Sequence, residues 1–464
     1  MYQRVVYQRL KKKKMKTINF KYIILSAAVF WGAACNGFLD VELDDQIITS
    51  EAIVNKETAE AAAIGLYNSF QGVNLYGGDF VLVADLLGGN AIATGFRQRY
   101  EDLANARVPT TNPYIEDVWV DLYNIINSAN NILANIDGID GIGDEDRSRI
   151  EGTAYFFRGA AYFDLLRQFG EFFDEGSAFG VPVFTEVLDR STATTVGRAT
   201  VSATYGRIIE DLDNAVKDLP AGDGRFFLTQ AAAQALLARV YLYRKDWDNA
   251  RAYASLLINN GDYELNTDYN DNFETEGSAE SIFELEFTTQ DGQDLSSLLM
   301  LSTANEVSGA NELWEAFEEG DVRKEQFLRR FGVVRCTKYG ELATDIQYNV
   351  PILRLAEMYL IRSEAIAHTE GAVAALTDLN AIRARSLPDS PIAAADVPNL
   401  EAYNGFLIRE RRLEYAFEGH YWFDLVRLGR AADVRQVEDY RVILPIPGRE
   451  VKVSNGVVVQ NQGY

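Results

Sequence analysis

Apolar residues cover almost the whole circumference of one stretch of this chain. In residues 353–368, Leu353, Leu355, Ala356, Met358, Tyr359, Leu360, Ile361, Ala365 and Ile366 leave only a narrow polar stripe. Glu357 and Glu364 lie on that stripe, with Arg354 beside them. A helix of this kind must be packed on several sides. Gly371 breaks the pattern, and Leu376, Leu379 and Ile382 resume it at three-residue steps as a second helix. The pair occupies 34 residues, 353–386. That is the length of a tetratricopeptide unit, a helix hairpin that buries its face only against neighbours.

The same period predicts helices over 51–70, 115–136, 144–169, 200–219, 228–244 and 247–259. They sketch three further hairpins: 51–70 with 115–136, 144–169 with 200–219, and 228–244 with 247–259. Ala154, Gly159, Ala160 and Ala161 stand among Tyr155, Phe156, Tyr162 and Phe163, small residues that permit close helix packing beside bulky ones. Two stretches carry no sustained period. Residues 71–113 hold Gly72, Gly77, Gly78, Gly88, Gly89 and Gly95, and residues 261–349 form a long excursion of short strands and turns. Within the excursion, 280–288 alternates like a strand, and Trp314 with Phe317 is spaced to pack the insert. The expected fold is mostly α: a tetratricopeptide-like scaffold of about four hairpins, with long irregular loops and short β segments inserted. Helical repeats fill about 51–260 and 351–431, and 432–464 is an extended terminal segment of the same domain, 35–464.

Residues 406–430 read as one more helix, with an unusual density of charge. Arg409, Glu410, Arg411, Arg412, Glu414, Glu418, Asp424 and Arg427 interleave with Leu407, Leu413, Phe417, Trp422, Phe423 and Leu425. Glu410, Glu414 and Glu418 repeat at four-residue steps and repel one another unless arginines answer them. Arg411 lies three residues before Glu414, and Arg427 three after Asp424. Cationic neighbours keep acids ionised, which suits a structural brace better than a proton donor. The planar fork of arginine suits that brace.

The first 34 residues change the picture of where the chain works. They hold eight Lys or Arg, no Asp or Glu, and an apolar run over 22–34. That run is too short to span a bilayer and fits a signal peptide. It ends in Gly32, Ala33, Ala34 and Cys35, the form of a lipoprotein signal, with cleavage before Cys35 and lipid on it. Met15 opens a conventional signal by itself. Beyond residue 34, 36 Lys or Arg face 68 Asp or Glu, a net charge near −32. Such a surface repels nucleic acid and anionic lipid headgroups. No second apolar segment reaches 18 residues, so the membrane contact expected is the lipid alone. With Cys35 lipidated, Cys336 has no partner for a disulfide. Two histidines, His368 and His420, make a histidine metal site improbable, and both read as packed residues.

The strings RLAEMYLIRSEA, ALTDLNAIRARS, IRERRLEYAFEGHYWFDLVRLGR and LPIPGREVKVSNGVVVQNQGY together resemble the C-terminal signature of the SusD/RagB family. Phe38-Leu39-Asp40, the helix with Trp119, Tyr123 and Asn130, the connector 179–192 and the turn Asp321-Val322-Arg323 resemble further family features. One departure is Tyr421, where the family more often has arginine. The resemblance implies a surface-exposed outer-membrane lipoprotein that captures glycan and hands it to a SusC-like TonB-dependent transporter.

No GxSxG, Walker, CxxC or HExxH sequence is present. The expected protein is therefore not an enzyme and needs no cofactor, although carboxylates are numerous enough for a glycosidase pair. Asp268, Asn270, Asn272, Glu274 and Glu276 alternate as calcium ligands can, but Phe273 stands where an EF-hand has glycine. A sugar offers an apolar C–H face and a ring of hydroxyls. Flat aromatic surface with amide or charged partners is the matching site, and residues 71–113 supply Tyr76, Phe96 and Tyr100, with Asn90 and Arg97 nearby. A helical-repeat adaptor for peptide or protein ligands is the alternative reading.

Overall fold

The computed structural model describes residues 53–188, 194–222, 224–299, 306–342 and 344–464. Cys35 and the segment before it lie outside the described residues. Eight helices come first: α1 (Lys56–Phe70), α2 (Asp79–Gly88), α3 (Gln98–Ala104), α4 (Pro113–Asn135), α5 (Asp144–Phe169), α6 (Val201–Asp218), α7 (Gln230–Arg244) and α8 (Trp247–Asn259). After the excursion come α9 (Leu355–Thr369), α10 (Ala372–Ser386), α11 (Leu400–Glu414) and α12 (Tyr421–Arg427), with one-turn helices elsewhere. The long helices begin where side chains can accept their first free N–H groups. Asn55, Asn112, Thr200, Thr229, Asp246 and Asn399 each cap one.

The hairpins pair as the periodicity predicts: α1 packs on α4, α5 on α6, α7 on α8 and α9 on α10. Neighbouring hairpins stack through α4 on α5, α6 on α7 and α8 on α9, a layered helical array. The α7–α8 turn is only Lys245 and Asp246, with Lys245 left-handed at φ 60°. At the α9–α10 turn Gly371 sits at φ 104°, where a side chain is strained. The small residues of α5 serve close approach. A Cβ at Gly159 would stand 3.1 Å from Leu212, and one at Gly152 2.9 Å from Leu219. Arg158 pins this contact, meeting Asp211 at 2.9 and 2.6 Å and Asn130 of α4 at 2.7 Å.

Two small sheets join the irregular parts. Strands β1 (Ala91–Ala93), β3 (Val307–Gly309), β5 (Val333–Cys336) and β4 (Phe327–Arg330) lie side by side in that order, all antiparallel. Strand β2 (Ser281–Leu285) pairs with β6 (Val350–Arg354), which leads directly into α9. Residues 71–113 are thus not an irregular loop. Every residue of α2 is buried, and its sequence DFVLVADLLG has no polar face to give a period. The glycines around it close tight turns, since a Cβ at Gly77 or Gly78 would lie 2.1 or 2.3 Å from a backbone carbonyl oxygen.

The charged helix is also not continuous. It stops at Glu414 and resumes at Tyr421. Phe417 at φ 63° and Gly419 at φ 81° turn the chain between them. The break buries the Phe417 ring and brings Glu418 between Lys338 Nζ at 2.7 Å and Arg354 Nε at 2.9 Å. The carboxylates are answered by arginines from all over the chain. Arg354 Nη1 reaches Glu280 at 2.6 Å and Glu414 at 3.1 Å. Arg385 bridges the same two glutamates. Arg323 and Arg383 hold Glu410 at 2.5 and 3.2 Å. Arg411 pairs at 2.7 Å with Asp424 rather than with Glu414, and Arg427 joins Asp424 to Glu364. Tyr421 packs its ring against Gly88 and under Arg412.

Removing one member of a buried pair strands its partner's charge away from water, at a cost of about 3–5 kcal/mol. Arg411→Ala and Glu414→Ala are expected to lower stability by about that much in chemical denaturation. The guanidiniums of Arg385, Arg354 and Arg323 overcome burial and hold the Glu414 carboxyl down at about 2. Its stabilisation is therefore full above the ordinary glutamate range and is lost as pH falls through about 2. Acid unfolding curves should show Glu414→Gln losing part of the pH slope below about 4.5.

Candidate functional site

Of the five residues that the sequence nominated for ligand contact, three are buried. Tyr76 stacks on Phe70 with centroids 5.2 Å apart, and its hydroxyl donates to Asp164 at 3.0 Å while accepting from Arg167 at 3.1 Å. Tyr100 donates to Asp79 at 2.6 Å. Asn90 donates to Asp85 at 2.8 Å and accepts from Arg412 Nε at 2.6 Å. Burial pushes both phenols above their ordinary range. These side chains hold the core of the segment and offer no surface to a ligand. The signal missed was the apolar run from Phe80 to Leu87, which marks its surroundings as interior.

Phe96 and Arg97 stand elsewhere. The Phe96 ring is fully exposed, and Arg97 is half exposed with Nε 3.3 Å from Glu306. Their backbone is held by the excursion: the N–H groups of Thr94 and Gly95 donate to the Glu306 carbonyl at 2.9 and 3.3 Å. A projecting aromatic ring is thus mounted on a sheet edge instead of a free loop. At the opposite end of the sheet, the β4–β5 turn exposes Phe331. Trp314 is half buried, with the Lys324 ammonium 4.5 Å from its ring centre, consistent with packing of the insert.

The excursion is tied down at two further points. Asp294 N–H donates to the Gly77 carbonyl, and Gln293 N–H donates to that of Ile346, both at 2.8 Å. Next to Ile346 lies a cleft of about 230 Å³. Its lining combines the aromatics Phe273 and Tyr348, the amides Asn272, Gln347 and Asn349, and the carboxylates Glu274, Glu276 and Glu284. Glu284 is buried beneath it, and its Oε2 accepts from Gly277 N–H at 3.2 Å and Asn349 Nδ2 at 3.1 Å. Burial raises the Glu284 carboxyl above its usual range, against the pull of hydrogen bonds from Ser281, Gly277 and Asn349.

Of the alternating acids and amides of 268–276, Asn272, Glu274 and Glu276 line the cleft, whereas Asp268 and Asn270 do not. Asp268 takes the Asn270 N–H, Asn270 bonds to Glu325 and Gln326, and Asn272 bonds to Asn266 and Tyr269. Among the described residues no group of three or more His, Cys, Asp or Glu side chains is placed to hold a metal ion. His368 stacks on Trp247 with ring centres 3.9 Å apart. His420 is buried, and burial beside four arginines drives its pKa well below the usual value.

Two family models match the chain and together span more than two thirds of it. Residues 37–242 fit the model described as starch-binding associating with outer membrane, and residues 328–442 fit the SusD family model. SusD-like protein P2 of Formosa agariphila is 25% identical, the match covering 97% of this chain and 100% of that one. A SusD-like protein of Bacteroides ovatus is 23% identical over 87% of this chain and 81% of its own. Among solved structures, a SusD superfamily protein from Bacteroides vulgatus superposes with a TM-score of 0.79 at 26% identity, covering 89% of this chain and 99% of that one. A laminarin-binding SusD-like protein gives 0.74 at 25% identity, covering 89% and 100%. By fold, by signature and by these matches, the chain belongs to the SusD/RagB family.

Proposed function

We propose that the protein is a lipid-anchored glycan-binding protein of the outer membrane surface. In this reading it captures oligo- or polysaccharide and passes it, chemically unchanged, to a SusC-like TonB-dependent transporter. The observation that carries the reading is the family match at both ends of the chain, together with a similar solved structure that binds laminarin. The surface running from Phe96 and Arg97 to the cleft at Tyr348 is the ligand site. It offers an open ring at Phe96 and, in the cleft, amides and acids beside Tyr348, the groups that a sugar's C–H face and hydroxyls require.

Binding without conversion agrees with the chemistry of the charged core. The acids Glu410, Glu414 and Asp424 of the charged segment are buried among cations. Glu414 is held near 2, and the guanidiniums of Arg411 and Arg427 outweigh burial to lower Asp424. A general acid for glycoside cleavage needs the opposite shift, so these braced acids are not candidates for one. For localisation, no helix among the described residues is long and apolar enough to cross a membrane. Lipid on Cys35 is the attachment proposed.

Two measurements test this. In titration calorimetry against a panel of neutral polysaccharides, Phe96→Ala should weaken binding roughly tenfold, the loss of about 1.4 kcal/mol from one stacking ring. Tyr76→Phe and Tyr100→Phe, whose rings are buried, should bind as the parent does. Equal binding by Phe96→Ala would move the site off this corner, and no binding to any glycan would end the reading. In fractionated cells lacking the transporter, Cys35→Ala should leave folded protein out of the outer membrane. Its persistence there would refute the lipid anchor.

A further inference from the structure

The cleft beside Tyr348 has an unusual charge balance for its size. Its ten lining residues include Glu274, Glu276 and Glu284 and no lysine or arginine. Glu274 and Glu276 are exposed at the rim, whereas Glu284 is buried beneath. The nearest cations are turned to other work. Lys338 and Arg354 lie 4.5 and 5.9 Å from the centre of the Phe273 ring and are held by Glu418, Glu280 and Glu414. Arg225, which runs beside Gly277, directs its N–H groups to the carbonyls of Ser278 and Asp262. None of these supplies an open positive charge to the cleft.

We infer that this cleft selects glycans without carboxylate or sulfate groups, and that the rim carboxylates of Glu274 and Glu276 act as the filter. The inference rests on the glycan-binding reading above and names the ligand class of the same site. A uronate or sulfate entering the cleft meets the two exposed rim carboxylates. It also sits over the buried side chain of Glu284. The amide of Gln347 and the Tyr348 hydroxyl serve neutral sugar hydroxyls, so rejection falls on charge alone. Repulsion of this kind is a specificity device: it adds nothing to affinity for the right ligand and removes affinity for the wrong one.

The test uses matched polysaccharide pairs that differ only in charge. Suitable pairs are laminarin and its C6-carboxylated derivative, carboxyl-reduced and native glucuronoxylan, and methyl-esterified and free homogalacturonan. Binding to the mature protein is measured at about 0.01 M and about 1 M ionic strength, where the screening length falls from about 30 to about 3 Å. The expected result is that whichever neutral member binds, its anionic counterpart binds at least tenfold more weakly at low salt. That gap should shrink at high salt and in the Glu274→Gln/Glu276→Gln double variant. The two side chains are exposed, so the variant should fold as the parent does. An anionic member that binds as tightly as its neutral partner overturns the filter while leaving glycan binding intact. A gap indifferent to salt and to both substitutions overturns it too. Failure of every pair to bind defeats the glycan-binding reading itself, and the filter with it.

Discussion

Arg354 is the side chain on which the arrangement turns. It stands at the junction of β6 and α9 and gathers Glu280 from the strand side, Glu414 from the end of α11 and Glu418 from the turn beyond it. Three carboxylates at one buried guanidinium tie three parts of the chain: the excursion, the last repeat hairpin and the C-terminal helices. Lys338, Arg323 and Arg385 share the excess negative charge. A cluster of this kind gains little stability over a well-packed apolar core of equal volume. What it supplies is orientation, because each fork accepts only a narrow range of carboxylate positions.

The irregular parts inherit that fixity. Residues 71–113 are plugged by α2, and the excursion is stitched to them through β1 and β3. The two stretches with the least regular sequence therefore meet at a shared sheet, and the helices hold both through contacts such as Tyr76 with Asp164, Asn90 with Arg412 and Arg323 with Glu410. Functional side chains on loops backed by a stiff scaffold are a common division of labour. Here the backing is a sheet only a few residues wide, with the Glu306 carbonyl receiving two N–H groups from the Phe96 turn.

How much of this was legible in the sequence follows from what each element asks of its residues. The repeat helices could be read because their apolar residues recur at three and four and their caps are Asn, Thr or Asp. The opposite held for α2: a helix buried on every side has no polar stripe, so its glycine neighbours looked like flexibility when they mark backbone contact. The charges of 406–430 announced a buried brace but not its wiring. Arg411 is three residues from Glu414 and yet pairs with Asp424, and Glu357 finds Arg239 of α7 at 2.6 Å. Partners brought together by tertiary packing leave no local spacing to read. For the same reason Phe96 could be nominated from its composition, whereas the cleft joining residues near 273 to those near 348 could not.

The pairing of β1 with β3 has a consequence for how the protein comes to exist. It closes a loop of more than two hundred residues with only three pairs of facing residues. The entropy of that closure must be met before the contact returns anything. Hairpins such as α7–α8 enclose two residues and can form as soon as both helices are free to fold. The proposed ligand surface is therefore a late product of folding, assembled only when residues beyond 309 are present to hold β3 through β5. A chain stopped after its first three hairpins would keep much of its helical array while Phe96 had no edge to stand on.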